Sequence, residues 1–207
     1  MKYREILLKQ LKLQPYFDKK AVYQLSEQFN IKNTTIDAYI TRSLRHKDII
    51  SLKNGLYIST NFYNKNKNNI SYFYFLANIL RKPSYVSSWT ALQYYNLTTE
   101  TIHTIISVTP KITRNHKTKI GNFSYRSMKK DLFLDFFLIK DKFNFFIASP
   151  SKALFDLLYF KTRQFKGLKL KDINLLIEEL RINIDEMDKK EQKKIYYMIK
   201  NYINYHE

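Results

Sequence analysis

The stretch SLKNGLYIS, residues 51–59, holds one of only three glycines in the chain, Gly55, directly after an asparagine and between two apolar runs. Asn-Gly is the strongest short hairpin signal, because a type I′ turn needs positive φ at both central residues. DIISL before the pair and LYIS after it supply the two strands. What stands ahead of the hairpin decides what it belongs to.

Three helices are expected there. Ile6, Leu7, Leu8, Leu11 and Leu13 fit one helical face, ended by Pro15. A second helix runs from Asp18, a suitable N-cap, to Phe29 and buries Ala21, Val22, Leu25 and Phe29. A third, about Asn33 to His46, puts Ile36, Ile40 and Leu44 at i, i+4 and i+8 on its inner side, with Tyr39 near that side. Three helices and then a hairpin is the order of a winged helix-turn-helix, with Gly55 turning the wing.

The rest of the chain reads as α+β. TNFYNKNKNNI (60–70) is polar and aperiodic, so 61–69 reads as a linker between a winged helix-turn-helix in 1–60 and a mixed C-terminal domain in 70–207. That domain is expected to hold a buried helix at 70–82 stopped by Pro83 and another at 87–96 capped by Ser87 or Ser88. Strands follow at 103–109, 122–128, 132–139 and 143–149, with Asp141 and Asn144 flanking a turn. They form a small sheet with antiparallel pairs. Ser149 and Pro150 open a further helix, and helices at 171–181 and 186–204 close the chain.

Charge narrows the function. The 36 Lys and Arg against 18 Asp and Glu leave +18, which points to a polyanionic partner, with nucleic acid ahead of an anionic membrane surface. The tail 168–207 holds 8 basic and 8 acidic residues, so the excess belongs to 1–167. Zero cysteines exclude disulfides, thiolate zinc sites and cysteine nucleophiles. The N-terminus mixes charges among its leucines, and the longest apolar run, ISYFYFLANIL, falls far short of the ~20 residues that span a bilayer. A soluble, cytoplasmic protein is expected.

A recognition helix presents polar side chains opposite its core stripe. Asn33, Thr34, Thr35, Ala38 and Arg42 are therefore the candidates for base edges, and Lys32, Arg45, Lys53 and Asn54 for the phosphate backbone. A second basic cluster, Lys111, Arg114, Lys117, Lys119, Arg126, Lys129 and Lys130, has two readings. It is a further phosphate-contacting surface, or a solvated strand edge whose lysines discourage edge pairing.

Enzymatic signals are weak. Three scattered glycines make no phosphate loop or dinucleotide fingerprint, and the four histidines have no metal-ligand spacing, so neither cofactor nor metal is expected. SPSK (149–152) matches Ser-x-x-Lys only formally, without partner motifs, and is explained as a helix start. Asp131, Asp135 and Lys140 lack the second acid that nuclease chemistry requires along that strand.

With the motifs RKPSYVSSWTALQYYNL (81–97), HTIISVTPK (103–111) and ASPSKALFDLLY (148–159) after a wing ending GLY, the chain resembles the AbiE-type antitoxins of bacterial type IV, abortive-infection toxin–antitoxin systems. The resemblance covers roughly residues 5–165. It implies a non-enzymatic, cytoplasmic autorepressor that binds inverted repeats of double-stranded DNA in its own promoter, and a C-terminal domain that counteracts a cognate nucleotidyltransferase toxin. Asn54 departs from the arginine frequent before the wing glycine, and Ser151 from the acid usual before KAL. The alternatives are a winged-helix regulator with no toxin partner, an enzyme acting on nucleic acid, and an interaction module with a lysine-rich surface.

Overall fold

Pro15 stands just beyond the end of the first helix in the computed structural model, which describes residues 9–206 and places α1 through 9–13. The expected contribution of Ile6, Leu7 and Leu8 to that helix lies outside the described residues. A short strand β1 (Phe17–Asp18) follows, then α2 (Lys19–Glu27), α3 (Asn33–Arg45) and the hairpin strands β2 (Ile49–Lys53) and β3 (Leu56–Ser59). Asp18 has extended backbone and its Oδ1 accepts the Lys20 amide at 2.7 Å, which starts α2 where the sequence places it. The strands form an antiparallel sheet in the order β1-β3-β2.

Leu11, Phe17, Val22, Ile36, Ile40, Ile49 and Tyr57 make the core of this unit, with Leu25, Tyr39 and Leu44 half-buried against it. Ala21, expected inside, is exposed. The inner stripe of α2 is Val22 and Ser26, four residues apart, and the Ser26 hydroxyl donates to the Tyr23 carbonyl. The turn is also not the expected type I′. Gly55 has φ +77°, but Asn54 is not in the left-handed region. The register slips between Ser51 and Lys53, and this bulge adds the twist that a type I′ turn would otherwise supply. The Gly55 carbonyl also accepts the Lys19 amide at 2.8 Å, which ties the turn to the start of α2.

The hairpin serves two cores. Ile49 and Tyr57 belong to the small one, whereas Leu52, Leu56 and Ile58 join a larger cluster built from the rest of the chain. Residues expected as a linker continue that packing. α4 (Thr60–Asn66) starts at Ser59, whose hydroxyl accepts the Phe62 amide at 3.4 Å. Phe62 meets Tyr72 and Phe143 at ring-centroid distances of 5.5 and 6.0 Å, and the buried Asn66 donates to the Phe62 carbonyl at 2.8 Å. Two aromatic rings and an asparagine give no apolar period, so the sequence does not announce this helix.

A six-stranded mixed sheet fills the larger unit. It is built from β4 (Tyr85–Val86), β5 (Thr104–Thr109), β6 (Arg114–Thr118), β7 (Gly121–Ser127), β8 (Phe136–Ile139) and β9 (Phe145–Ala148), in the order β6-β7-β5-β4-β9-β8. β5–β7 and β4–β9 are parallel and the other pairs antiparallel. α5 (Ile70–Leu80) covers one face, where Tyr125 donates to the Ala77 carbonyl at 2.7 Å and Tyr74 meets Phe145 at 5.2 Å. α6 (Ser88–Tyr94) and α7 (Pro150–Lys161) pack on each other, and α8 (Leu170–Glu179) and α9 (Lys189–His206) complete the chain. The expected strand at 132–139 is shorter than read, because Asp135 takes φ +62° and breaks it before Phe136. β4 and β6 were not expected: one is two residues long, and the other, RNHKT, is polar throughout.

One ion pair sits in the middle of the larger unit. Lys152 and Asp156 on α7 are both fully buried, with Nζ and Oδ1 2.7 Å apart. Asp156 Oδ2 accepts the Ser87 hydroxyl at 2.7 Å and the Tyr85 hydroxyl at 3.0 Å. Burial pushes the Asp156 carboxyl up, and the Lys152 ammonium and these two hydroxyls oppose it. Lys152→Met strands that carboxylate and is expected to lose about 3–5 kcal/mol of unfolding free energy in a urea titration. Adding Asp156→Leu should recover part of the loss. A double variant no more stable than the single one would show that no charge had been stranded.

Candidate nucleic-acid interface

α3 presents its two sides as its residue pattern requires. Ile36 and Ile40 are 2% and 4% exposed, while Asn33, Thr34, Thr35, Ala38, Thr41, Arg42 and Arg45 face solvent, as does Lys32 at the N-cap. Three small residues at the N-terminal end let another surface approach the helix, and two guanidiniums follow in its last turn. The one acid on this helix, Asp37, points at α2. Its Oδ1 lies 2.7 Å from Lys19 Nζ and accepts the Tyr23 hydroxyl. The hydrogen bonds from Lys19 and then Tyr23 hold its carboxyl below the usual carboxylate range. The same contacts raise the Lys19 ammonium above its ordinary range. A carboxylate that would repel phosphate is therefore neutralised in place.

The residues of the β2–β3 turn behave differently from one another. Asn54 is exposed at the turn. Lys53, expected along a DNA backbone, donates through Nζ to the Leu80 carbonyl at 2.6 Å. It faces the C-terminal end of α5, where unsatisfied carbonyls favour a cation. Burial, followed by Arg81, Lys111 and Arg114, lowers its pKa against the opposing pull of Asp18.

The second basic cluster does not form one face. Arg114 pairs with Tyr125 and His116 with Phe123, so these two share a side of the sheet. Lys117 pairs with Asn122, and Arg126 follows Tyr125, so both lie on the opposite side. Lys111 lies in the turn before β6, Lys119 in the turn after it, and Lys129 and Lys130 at a 3-10 turn, all exposed. Arg81 and His116 join Lys53 and Arg114 in space, and neither was singled out from sequence. The signal was the RNHKT strand itself, whose alternation is unreadable without an apolar member.

The residues of SPSK are engaged in structural contacts. In SPSK the Ser149 hydroxyl accepts the Lys152 amide at 3.2 Å and donates to Asp135 Oδ2 at 2.8 Å, while the Lys152 ammonium is engaged by Asp156. The pair is a helix cap and a buried ion pair. Asp135 also receives Lys194 from α9, so its carboxylate is fully occupied. Among the described residues no group of three or more His, Asp and Glu is placed to hold a metal, and no helix is long and apolar enough to cross a membrane. The chain matches no protein-family model and no curated protein sequence.

His116 reports on the charge gathered beside it. Burial, then Lys53, Arg114 and Arg81, lowers its pKa from the ordinary 6.5. An NMR titration should find the imidazole neutral further into acid than a free histidine, and Arg114→Ala should move the midpoint upward. A midpoint indifferent to Arg114 would mean that the two are not neighbours.

Proposed function

We propose that the N-terminal unit is a winged helix-turn-helix that binds double-stranded DNA, and that the protein is a cytoplasmic, non-enzymatic repressor of its own operon and an antitoxin. The order helix-strand-helix-helix-hairpin and the sheet order β1-β3-β2 support the first part. The observation that carries it is α3, whose polar side is fully open while Ile36 and Ile40 anchor the other. In this reading Asn33, Thr34, Thr35, Ala38 and Arg42 meet base edges, and Lys32, Arg45 and Asn54 meet phosphates. Inverted repeats in the promoter would be its operator.

The antitoxin half rests on the motif resemblance to AbiE-type antitoxins, with a nucleotidyltransferase toxin as the functional partner. The residues of those motifs are mostly interior: Tyr85, Ala91, Leu92, Leu97, Ala153, Leu154 and Leu158 are all buried. They support a shared framework and name no contact with a toxin. A winged-helix regulator without such a partner is distinguished by the absence of an adjacent nucleotidyltransferase gene.

The test is a gel-shift titration on the gene's own upstream region, with and without competitor DNA. Arg42→Ala should weaken operator binding by roughly 1–3 kcal/mol and relax discrimination at one position. Thr34→Ala with Thr35→Ala should also abolish repression in cells while toxin counteraction persists. Equal affinity for operator and scrambled duplex in the unaltered protein would refute sequence recognition by α3. Point variants are preferred to removing residues 1–60, because that deletion would strip Leu52, Leu56 and Ile58 from the larger core.

A further inference from the structure

The place where the hairpin meets the sheet gathers cations that nothing else explains. Lys53 reaches the Leu80 carbonyl, and the next residue, Arg81, donates through Nη2 to the Ile112 carbonyl at 2.6 Å. Ile112 follows Lys111 and lies two residues before Arg114. Two hydrogen bonds therefore bring together the segments that carry Lys53, Arg81, Lys111 and Arg114, with β2 against β6 and His116 on the Arg114 side of the strand. None of the four cations has a carboxylate ion-pair partner among the described residues. Arg81 Nε is buried and has no hydrogen-bond partner.

Like charges gathered in one region repel, and no carboxylate ion pair among the described residues offsets the repulsion here. A helix C-terminus accounts for Lys53 alone. Protection of an edge strand would account for an outward lysine such as Lys117, and not for an arginine turned inward with an idle Nε. What the four cations share is suitability for a tetrahedral oxyanion, which a guanidinium fork binds through several oxygens.

We propose that this junction seats a phosphate of the nucleic-acid backbone, so that the hairpin and the β6 edge grip a duplex together. The proposal rests on the DNA-binding reading for the identity of the polyanion. It assigns Arg81 and His116 to the interface and gives Lys53 a shared phosphate in place of an outward one. It also divides the basic cluster: Lys111 and Arg114 belong to the seat, and Lys117 and Arg126 do not.

The experiment uses the full chain and the variant Lys111→Ala/Arg114→Ala, both positions being exposed. The His116 imidazole resonance, assigned by its loss in His116→Gln, is followed while inorganic phosphate replaces chloride at constant ionic strength. Operator and scrambled duplexes are then added. Phosphate should shift the resonance saturably in the unaltered protein only, and either duplex should displace it. In the double variant the slope of log K against log salt should fall by about 0.9 for each phosphate no longer neutralised, equally on both duplexes. An unchanged slope in the double variant overturns the seat, as does a resonance that phosphate moves no more than chloride. Phosphate binding that no duplex displaces overturns the backbone assignment. Failure of the α3 reading looks different: operator and scrambled duplex bind alike, while the phosphate response at His116 stands.

Discussion

An ammonium and a carboxylate buried beyond the reach of water must satisfy each other, and Lys152 and Asp156 do so within one turn of α7. The second oxygen of Asp156 takes hydroxyls from both sides of the β4–α6 junction, Tyr85 and Ser87. This fixes the short strand β4 against α7, and β4 is the member that joins β5 to β9 in the six-stranded sheet. A two-residue strand has little pairing of its own to hold it there. The side-chain network supplies the register that the backbone ladder is too short to specify.

The start of α7 is secured as thoroughly. Ser149 caps it, Glu191 accepts the Ser151 amide at 2.9 Å, and Lys194 joins Asp135, which in turn accepts from Ser149. The final helix thus contributes polar groups to the middle of the chain as well as apolar ones. Glu191 and Lys194 are two of the tail's charged residues that are used inside the molecule.

Much of the order of elements was legible. Strong periods and strong caps, as in α3, α5 and the Ser149-Pro150 start of α7, place themselves close to where the residues say. Hidden features share one cause, which is that their stabilisation is tertiary. α4 has two inward rings and a buried asparagine, β6 has no apolar alternation, and β4 has no length. The turn at Gly55 was legible as a turn and misread in type, because a bulge at Leu52 shares the twist. In the candidate interface, exposure of the α3 residues followed from the core stripe. The direction of Lys53 did not, since its partner is a carbonyl 27 residues further on, and the split of the basic cluster needed the strand pairing that only the fold supplies.

A hairpin whose two faces serve different cores also sets a timetable for synthesis. The ribosome releases Leu52, Leu56 and Ile58 before most of the larger core that they join, so the nascent N-terminal unit emerges with a greasy underside awaiting its cover. Until the strand β6 that packs on β2 has followed, that unit lacks part of its packing. An aborted polypeptide ending inside the sheet would leave this apolar face uncovered, a substrate for chaperones and proteases.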